Sequence, residues 1–320
     1  MTSTLPQDVR DVFERFITCE LTTVDAKRQP ITWPVTPYYQ QGGPTIDVTT
    51  GLGYPKKADD ARAHPSVSLL FSDSTGSGVA GATRVLVQGT ATIDDEDLKA
   101  NADRYMHESA IKLPATKKMH PPKPLRGLFN FYYARIYIMV RPERVFVWPS
   151  GDLTKDPTIH DAHLEEVRSG HVEEPPEPHG SPPHGSPAWD HRMEFLGEHE
   201  TGVLSWLAPD GFPVSVRVPY RADPPRREIR IEAEPAGLPV LEGRACLTVH
   251  RHAPDFTWQR NMQVRGSLVR APEGLRLVPR KIVGGFEIPK GVGRFRDFLT
   301  KGPRFYRTYR RRMRERADRP

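Results

Sequence analysis

Hydrophobic and polar positions along the chain form short runs broken by turn residues, a pattern that predicts strands more often than helices. Val9, Val12, Phe13 and Phe16 fall at helical spacing and predict a short helix over residues 6–16. CELTTVD and ITWPVTPYY follow, joined by AKRQP as a hairpin, and TIDVTT comes after the turn QQGGP. The polar stretch KKADDARA predicts a helix over residues 56–63. It should end before His64-Pro65, because a residue preceding proline disfavours helical backbone. VSLLF and RVLVQGTATI read as strands. Residues 94–107 read as a helix whose first turn holds Asp94, Asp95 and Glu96, acids suited to its dipole. The runs YYARIYIMV and RVFVWP end this pattern near Trp148.

About 180 residues further on, the pattern recurs. LSWLAPDGFPVSVRVPYR, EIRIEAE, RACLTVHRH and MQVRGSLV match the earlier runs in order, with Leu21 opposite Leu204, Pro30 opposite Pro213, Val35 opposite Val218 and Gly89 opposite Gly266. A spacing this long points to a duplicated domain rather than a solenoid. Each copy has five or six short strands and few helices, which suits a small antiparallel barrel. The expected fold class is therefore mainly β, two barrels in tandem over residues 1–148 and 189–290. Between them, residues 149–188 contain the repeated unit PHGSP and too little apolar surface to fold alone, so they read as a linker. His160, His163, His171, His179, His184 and His191 cluster there, but a Pro/Gly segment offers no rigid frame for a metal, and none is expected.

At 320 residues the chain can bury two cores. Cys19 and Cys246 stand at non-equivalent places in the repeats and read as reduced, buried thiols. No apolar run reaches the roughly 18 residues needed to cross a bilayer, and MTSTLPQDVRDVFERF lacks a signal-peptide layout, so no membrane partner and a cytoplasmic location are expected. The net charge of +6 is unevenly placed: residues 294–319 hold eleven bases against three acids, a net of +8 that leaves −2 for the remainder. This basic C-terminal tail, residues 291–320, interleaves Phe305, Tyr306 and Tyr309 with arginines. That interleaving suits a contact with nucleic acid or an anionic membrane; alternatively, and as the favoured reading, it is a helix docking Phe298, Phe305 and Tyr309 on a barrel while arginines face water. No nucleic-acid-binding motif accompanies it, so nucleic acid is not an expected partner.

The richest chemistry lies in TTGLGYPKKADDARAHPSVSLLFSD. Two threonines end a strand, a Gly-rich turn follows, and Lys56 and Lys57 open a helix, which together could cradle a phosphate; the same lysines could equally be a solvated pair beside a turn. The second copy has no basic counterpart to them. Trp33, Tyr38 and Tyr39, or Trp206 and Trp258, are candidate pocket walls or core residues.

The order Thr49-Thr50, Lys56-Lys57, HPSVSLLF, RVLVQG and YYARIYIMVRPERVFVWP resembles the FMN-binding split-barrel family typified by pyridoxamine 5′-phosphate oxidase, clearly over residues 18–148 and more weakly over 201–287. The resemblance implies that two barrels pack as an internal pseudo-dimer, and leaves open a homodimer of the whole chain. It implies phosphate capture by Lys56 and Lys57, contact with phosphate or ring edge by Thr49 and Thr50, and approach of Arg84 and Gln88 to the flavin ring. The cofactor implied is FMN, with the deazaflavin coenzyme F-420 as the alternative and heme as a third. The activity implied is a flavin-dependent oxidoreductase acting on a small-molecule substrate, the alternative being a non-catalytic flavin or heme binder. The oxidase's arginine-rich phosphate strand has no match in ITWPVTPYY, and its C-terminal Arg/His pattern is absent, so pyridoxamine phosphate oxidation itself is not expected. Neither a protein nucleophile nor an acid–base pair stands out, as befits chemistry carried by a cofactor.

Overall fold

The structure, a computed structural model, describes residues 5–79, 83–119, 127, 129–153, 155–161, 187–284 and 293–318. Helix α1 (Gln7–Arg15) forms where the apolar stripe predicts it, and buries Val9, Val12 and Phe13 completely. Each such side chain contributes about 1.5–3 kcal/mol by leaving water. The hairpin β1 (Cys19–Val24) to β2 (Pro30–Val35) turns on Asp25, whose carboxylate accepts the backbone N–H groups of Lys27 and Gln29. The chain continues through β3 (Tyr38–Tyr39), β4 (Ile46–Gly51), helix α2 (Lys56–Ala63), β5 (Ser66–Phe71) and β6 (Arg84–Asp94).

Helix α3 (Leu98–Lys112) starts later than expected. Asp94 stays in the ladder opposite Tyr137, and the Asp97 side chain caps the helix by accepting from the N–H groups of Lys99 and Ala100. Tyr132 and Tyr133 belong to the short helix α4 (Asn130–Tyr133) rather than a strand, and everything from Arg135 onward is one long strand, β7 (Arg135–Trp148). Pro142 fits inside β7 because a bulge at Gln88/Gly89 shifts the register opposite it.

The segment read as a linker is structured at its start: β8 (Thr158–Asp161), which carries His160, pairs with β7. Ladder hydrogen bonds reward that pairing even though the segment has little apolar content of its own. His163, His171, His179 and His184 lie outside the described residues. After a 3-10 turn at His191–Glu198 come β9 (Thr201–Leu207), β10 (Pro213–Asp223), β11 (Glu228–Ile231), β12 (Gly243–His252), β13 (Gln259–Ala271) and β14 (Gly274–Gly284), then helix α5 (Gly293–Ala317).

The protein is mainly β. Its first sheet runs in the order β2-β1-β5-β6-β7-β4-β3, and its second is a closed barrel, β10-β11-β14-β13-β12-β9. Strand for strand the two orders agree, the second closing through the β10–β11 pair. Local registers agree as well. Leu21 pairs Trp33 and Leu69, as Leu204 pairs Val216 and Leu247. Gly89 and Gly266 each sit at a bulge against a prolyl residue, Pro142 and Pro279. Both glycines are obligatory in the same way, since an added Cβ would overlap the carbonyl oxygen of Arg141 or Val278.

The two units meet along a reciprocal seam. Strand β12 lies against β2 as β5 lies against β10, and β9 lies against β2 as β1 lies against β10. Such exchangeable contacts define an isologous, two-fold type of interface within one chain. Small hydroxyls fill it: Thr32 Oγ1 is 2.6 Å from Ser205 Oγ, and Ser68 Oγ is 3.3 Å from Ser215 Oγ. At one side of the seam Glu20, fully buried, accepts from Arg217 at 2.8 Å, from Ser72 at 2.8 Å and lies 2.6 Å from His250 Nε2.

Candidate functional site

The turn that follows β4 builds the site. Leu52 N–H donates to the Ala134 carbonyl and Gly53 N–H to that of Phe131, so the turn is stitched to α4 and the start of β7. Side chains cannot be afforded at two positions: a Cβ on Gly51 would come within 2.8 Å of the Phe131 carbonyl oxygen, and one on Gly53 within 3.0 Å of the Phe305 carbonyl oxygen. The β4–β7 ladder places Gly51 opposite Arg135. A base from the far end of the domain thereby reaches the turn that carries Lys57.

The two lysines of the pair diverge. Lys56 is exposed and ion-paired to Asp60 at 2.9 Å, one helical turn along α2. Lys57 is half-buried, with its ammonium 5.9 Å from the Trp33 ring centroid and 5.8 Å from that of Tyr54. Burial, and secondarily the charge of Arg135, push the Lys57 ammonium down to about 8. The Arg135 guanidinium is buried between two rings, 3.7 Å from the Tyr105 centroid and 4.0 Å from that of Tyr132. It donates to the Tyr54 hydroxyl at 3.4 Å, and its Nε has no partner among the described residues.

Among the described residues, neither Lys57 nor Arg135 is ion-paired. The neighbouring Arg104 shows the contrast: it meets Asp47 at 2.5 Å and Glu108 at 2.9 Å. Buried cations are ordinarily matched in that way. Burial also pushes the hydroxyls of Tyr38, Tyr54 and Tyr105 far above their ordinary range, so they remain protonated donors.

The remaining expected residues fall in two places. Thr49 and Thr50 stand on β4 beside the turn, but their hydroxyls already donate, to the Ile136 carbonyl at 2.9 Å and the Tyr54 carbonyl at 3.1 Å. Gln88 belongs to the seam, where its amide donates to the Pro213 carbonyl at 3.0 Å. Arg84 lines a separate cleft of about 230 Å³ with Arg217, Thr201 and Pro219, and burial followed by the charge of Arg217 lowers its pKa. Lys57, Thr49 and Thr50 are thus gathered at one turn, whereas Arg84 and Gln88 face the junction of the two units. Of the aromatic candidates, Trp33 and Tyr38 border the site, while Trp206 is barrel core.

Nothing in the sequence assigned a role at this turn to Arg135, Tyr54, Tyr105 or Tyr132. The one signal for Arg135 is that it is the only base within FNFYYARIYIMV. Helix α5 supplies the outer wall: the Phe305 ring lies 5.4 Å from Tyr54 and 6.0 Å from Phe131, while Arg312 pairs with Asp59 at 2.5 Å and Arg316 with Asp95 at 3.2 Å. The expected docking of Phe305 and Tyr309 is seen, and Phe298 lies where side chains are not described.

No family model matches the chain, and no curated protein matches it. Among solved structures, it is similar to a protein of the pyridoxinephosphate oxidase family from Clostridium acetobutylicum, at 10% identity over 48% of this chain and 92% of that one, with a TM-score of 0.31. A FAD-binding protein from Mesorhizobium loti aligns at 17% identity over 43% of this chain and 87% of that one, with a TM-score of 0.30. An F420 reductase aligns at 18% identity over 44% and 98%, with a TM-score of 0.32. Among the described residues, no helix is long and apolar enough to cross a membrane.

Proposed function

We propose that the chain is a flavin-dependent oxidoreductase of the split-barrel type, transferring hydride to or from a small organic substrate with FMN or F-420 as cofactor. One observation carries this reading: Lys57 and Arg135 are two buried or half-buried cations at one turn, and neither meets a carboxylate among the described residues. A phosphate group bearing two charges would neutralise both and restore the full charge of Lys57. Phosphate capture falls to Lys57 and Arg135, because Lys56 is committed to Asp60 and both threonine hydroxyl protons are already donated. Trp33 offers a flat face beside the ammonium for a heterocycle. Bound flavin would supply the hydride chemistry; the chain's own residues bind it and exclude water, with the tyrosines serving as fixed hydroxyl donors.

The common strand order, registers and glycine bulges support descent of the two units from one by duplication. The second unit has no helix between β11 and β12 and no base matching Lys57, so we assign it a supporting role.

A second reading, binding of a flavin or heme without turnover, rests on the same two cations, Lys57 and Arg135. The test is titration of the purified protein with FMN, F-420 and heme, read by absorbance and fluorescence. Loss of a charge-assisted contact in Lys57→Ala should weaken flavin binding about 10- to 100-fold, with Lys56→Ala close to wild type. Binding of none of the three, or equal binding by Lys57→Ala, rejects the site. A flavin that binds but does not cycle between reductant and acceptor selects the second reading.

A further inference from the structure

Among the described side chains of helix α5, those that dock lie on one face. Phe305, Tyr309, Arg312 and Arg316 lie on the inner face, held by rings and by Asp59 and Asp95. On the opposite face stand Arg304, Arg307, Arg310, Arg311 and Arg314, all exposed. Among the described residues, Arg311 pairs with Glu315 at 3.6 Å and the other four have no ion pair. At a rise of about 1.5 Å per residue the row spans about 15 Å.

Such a row works against the helix that carries it. Arg307–Arg310, Arg307–Arg311, Arg310–Arg314 and Arg311–Arg314 are like-charge neighbours at helical spacing, each unfavourable by about 0.2–0.5 kcal/mol. Docking requires none of them, since the inner arginines already have their carboxylates. The charge is also polarised, the last segment carrying +8 against −2 for everything else.

We propose that the outer face of α5 binds the phosphate backbone of nucleic acid without reading sequence. A polyanion with one charge per about 1.7 Å of duplex axis would relieve the repulsion along the whole row. An anionic lipid surface is the weaker fit. A helix that lies in a membrane buries its apolar face there, and the ring face of α5 is already spent on the barrel domain. The near-neutral body gives no competing attraction, so α5 would set the orientation of the complex.

The experiment is fluorescence anisotropy of the full chain with a DNA duplex of about 24 base pairs, across about 50 to 200 mM salt. With four or five phosphates contacted, affinity should fall about 150- to 500-fold over that range. Replacing Arg307, Arg310, Arg311 and Arg314 together by Ala should abolish both the binding and its salt slope, with a melting temperature that does not fall, since the like-charge neighbours are removed as well. The same four changed to Lys should retain binding, because a phosphate accepts a point charge. Should the alanine variant fold poorly, the pair Arg307→Glu and Arg314→Glu gives the same readout. Absence of duplex binding at low salt, or equal binding by the variants, overturns the proposal. Capture by phosphatidylserine vesicles without duplex binding also overturns it and reassigns the face to lipid.

Discussion

Lys57 and Arg135 share one tyrosine: the Lys57 nitrogen lies 5.8 Å from the Tyr54 ring centroid, and Arg135 donates to the Tyr54 hydroxyl at 3.4 Å. Burial of the Lys57 ammonium, and then the nearby charge of Arg135, makes the site titratable. Lys57, pushed to about 8 by burial and then by Arg135, loses its proton on the alkaline side of neutrality. Anion binding should therefore weaken as pH rises through about 8 in wild type, and lose that dependence in Lys57→Met, measured by flavin fluorescence.

The same group sets a stability trend for the free protein. Between about 8 and 10.5 the unfolded chain holds a proton on Lys57 that the folded chain lacks, so stability rises with pH across that window. Lys112, pushed to about 8 by burial, acts in the same direction. Denaturant midpoints should rise from about pH 8 to about pH 9, less steeply in Lys57→Met and least in the variant lacking both lysines; above that, the buried Cys19 and Cys246 thiols and the buried tyrosines, all pushed up by burial, oppose the rise.

Glu20 ties the two units together, and its removal should be costly. Arg217, with its side chain 10% exposed, would be left without its carboxylate in Glu20→Ala, a loss of about 3–5 kcal/mol. Acid should have a related effect. Burial pushes the Glu20 carboxyl up, but the His250 hydrogen bond and Arg217 outweigh it and hold it low, so its contribution disappears as pH falls through that lowered value. Burial also lowers His252, whose Nδ1 is 2.8 Å from the Ala253 carbonyl and whose Nε2 is 3.1 Å from the Thr18 hydroxyl. Protonating it costs stability below about pH 6.5. Thermal midpoints should fall on acidification, with the onset moved to lower pH in His252→Gln.

The paired bulges make equal demands. Gly89→Ala and Gly266→Ala should each destabilise by about 3 kcal/mol, since backbone carbonyls cannot retreat from the new methyl group. Gly197→Ala, with open space around it, should be nearly neutral. Urea unfolding of the three variants makes the comparison, and a mild effect at either bulge would contradict the close approach described.

Docking of α5 rests on a small contact set. Phe305→Ala removes the ring packed on Tyr54 and Phe131, and Gly53→Ala drives a methyl group against Phe131 and the Phe305 backbone. Both should accelerate tryptic cleavage after the arginines of α5, and both should loosen flavin binding, because the site loses its outer wall.

Local chemistry in the sequence indicated most strands, the helices α1 and α2, and the glycine turn that carries the Lys56-Lys57 pair, because periodicity, proline restriction and turn propensity act over a few residues. The correspondence of Leu21 to Leu204, and of Gly89 to Gly266, was readable for the same reason: each unit repeats its own local rules. What tertiary structure alone decided is which charges meet. Arg135 joins the site only because β7 pairs with β4 across more than eighty residues of chain. Lys56 is the local exception, since its partner Asp60 lies one helical turn along α2 and that spacing is already written in the sequence. Glu20 and Arg217 neutralise each other across the seam, and α3 began at Leu98 because the ladder claimed Asp94 first. Neutralisation and ladder pairing act through space, between segments whose separation along the chain carries no record of their contact.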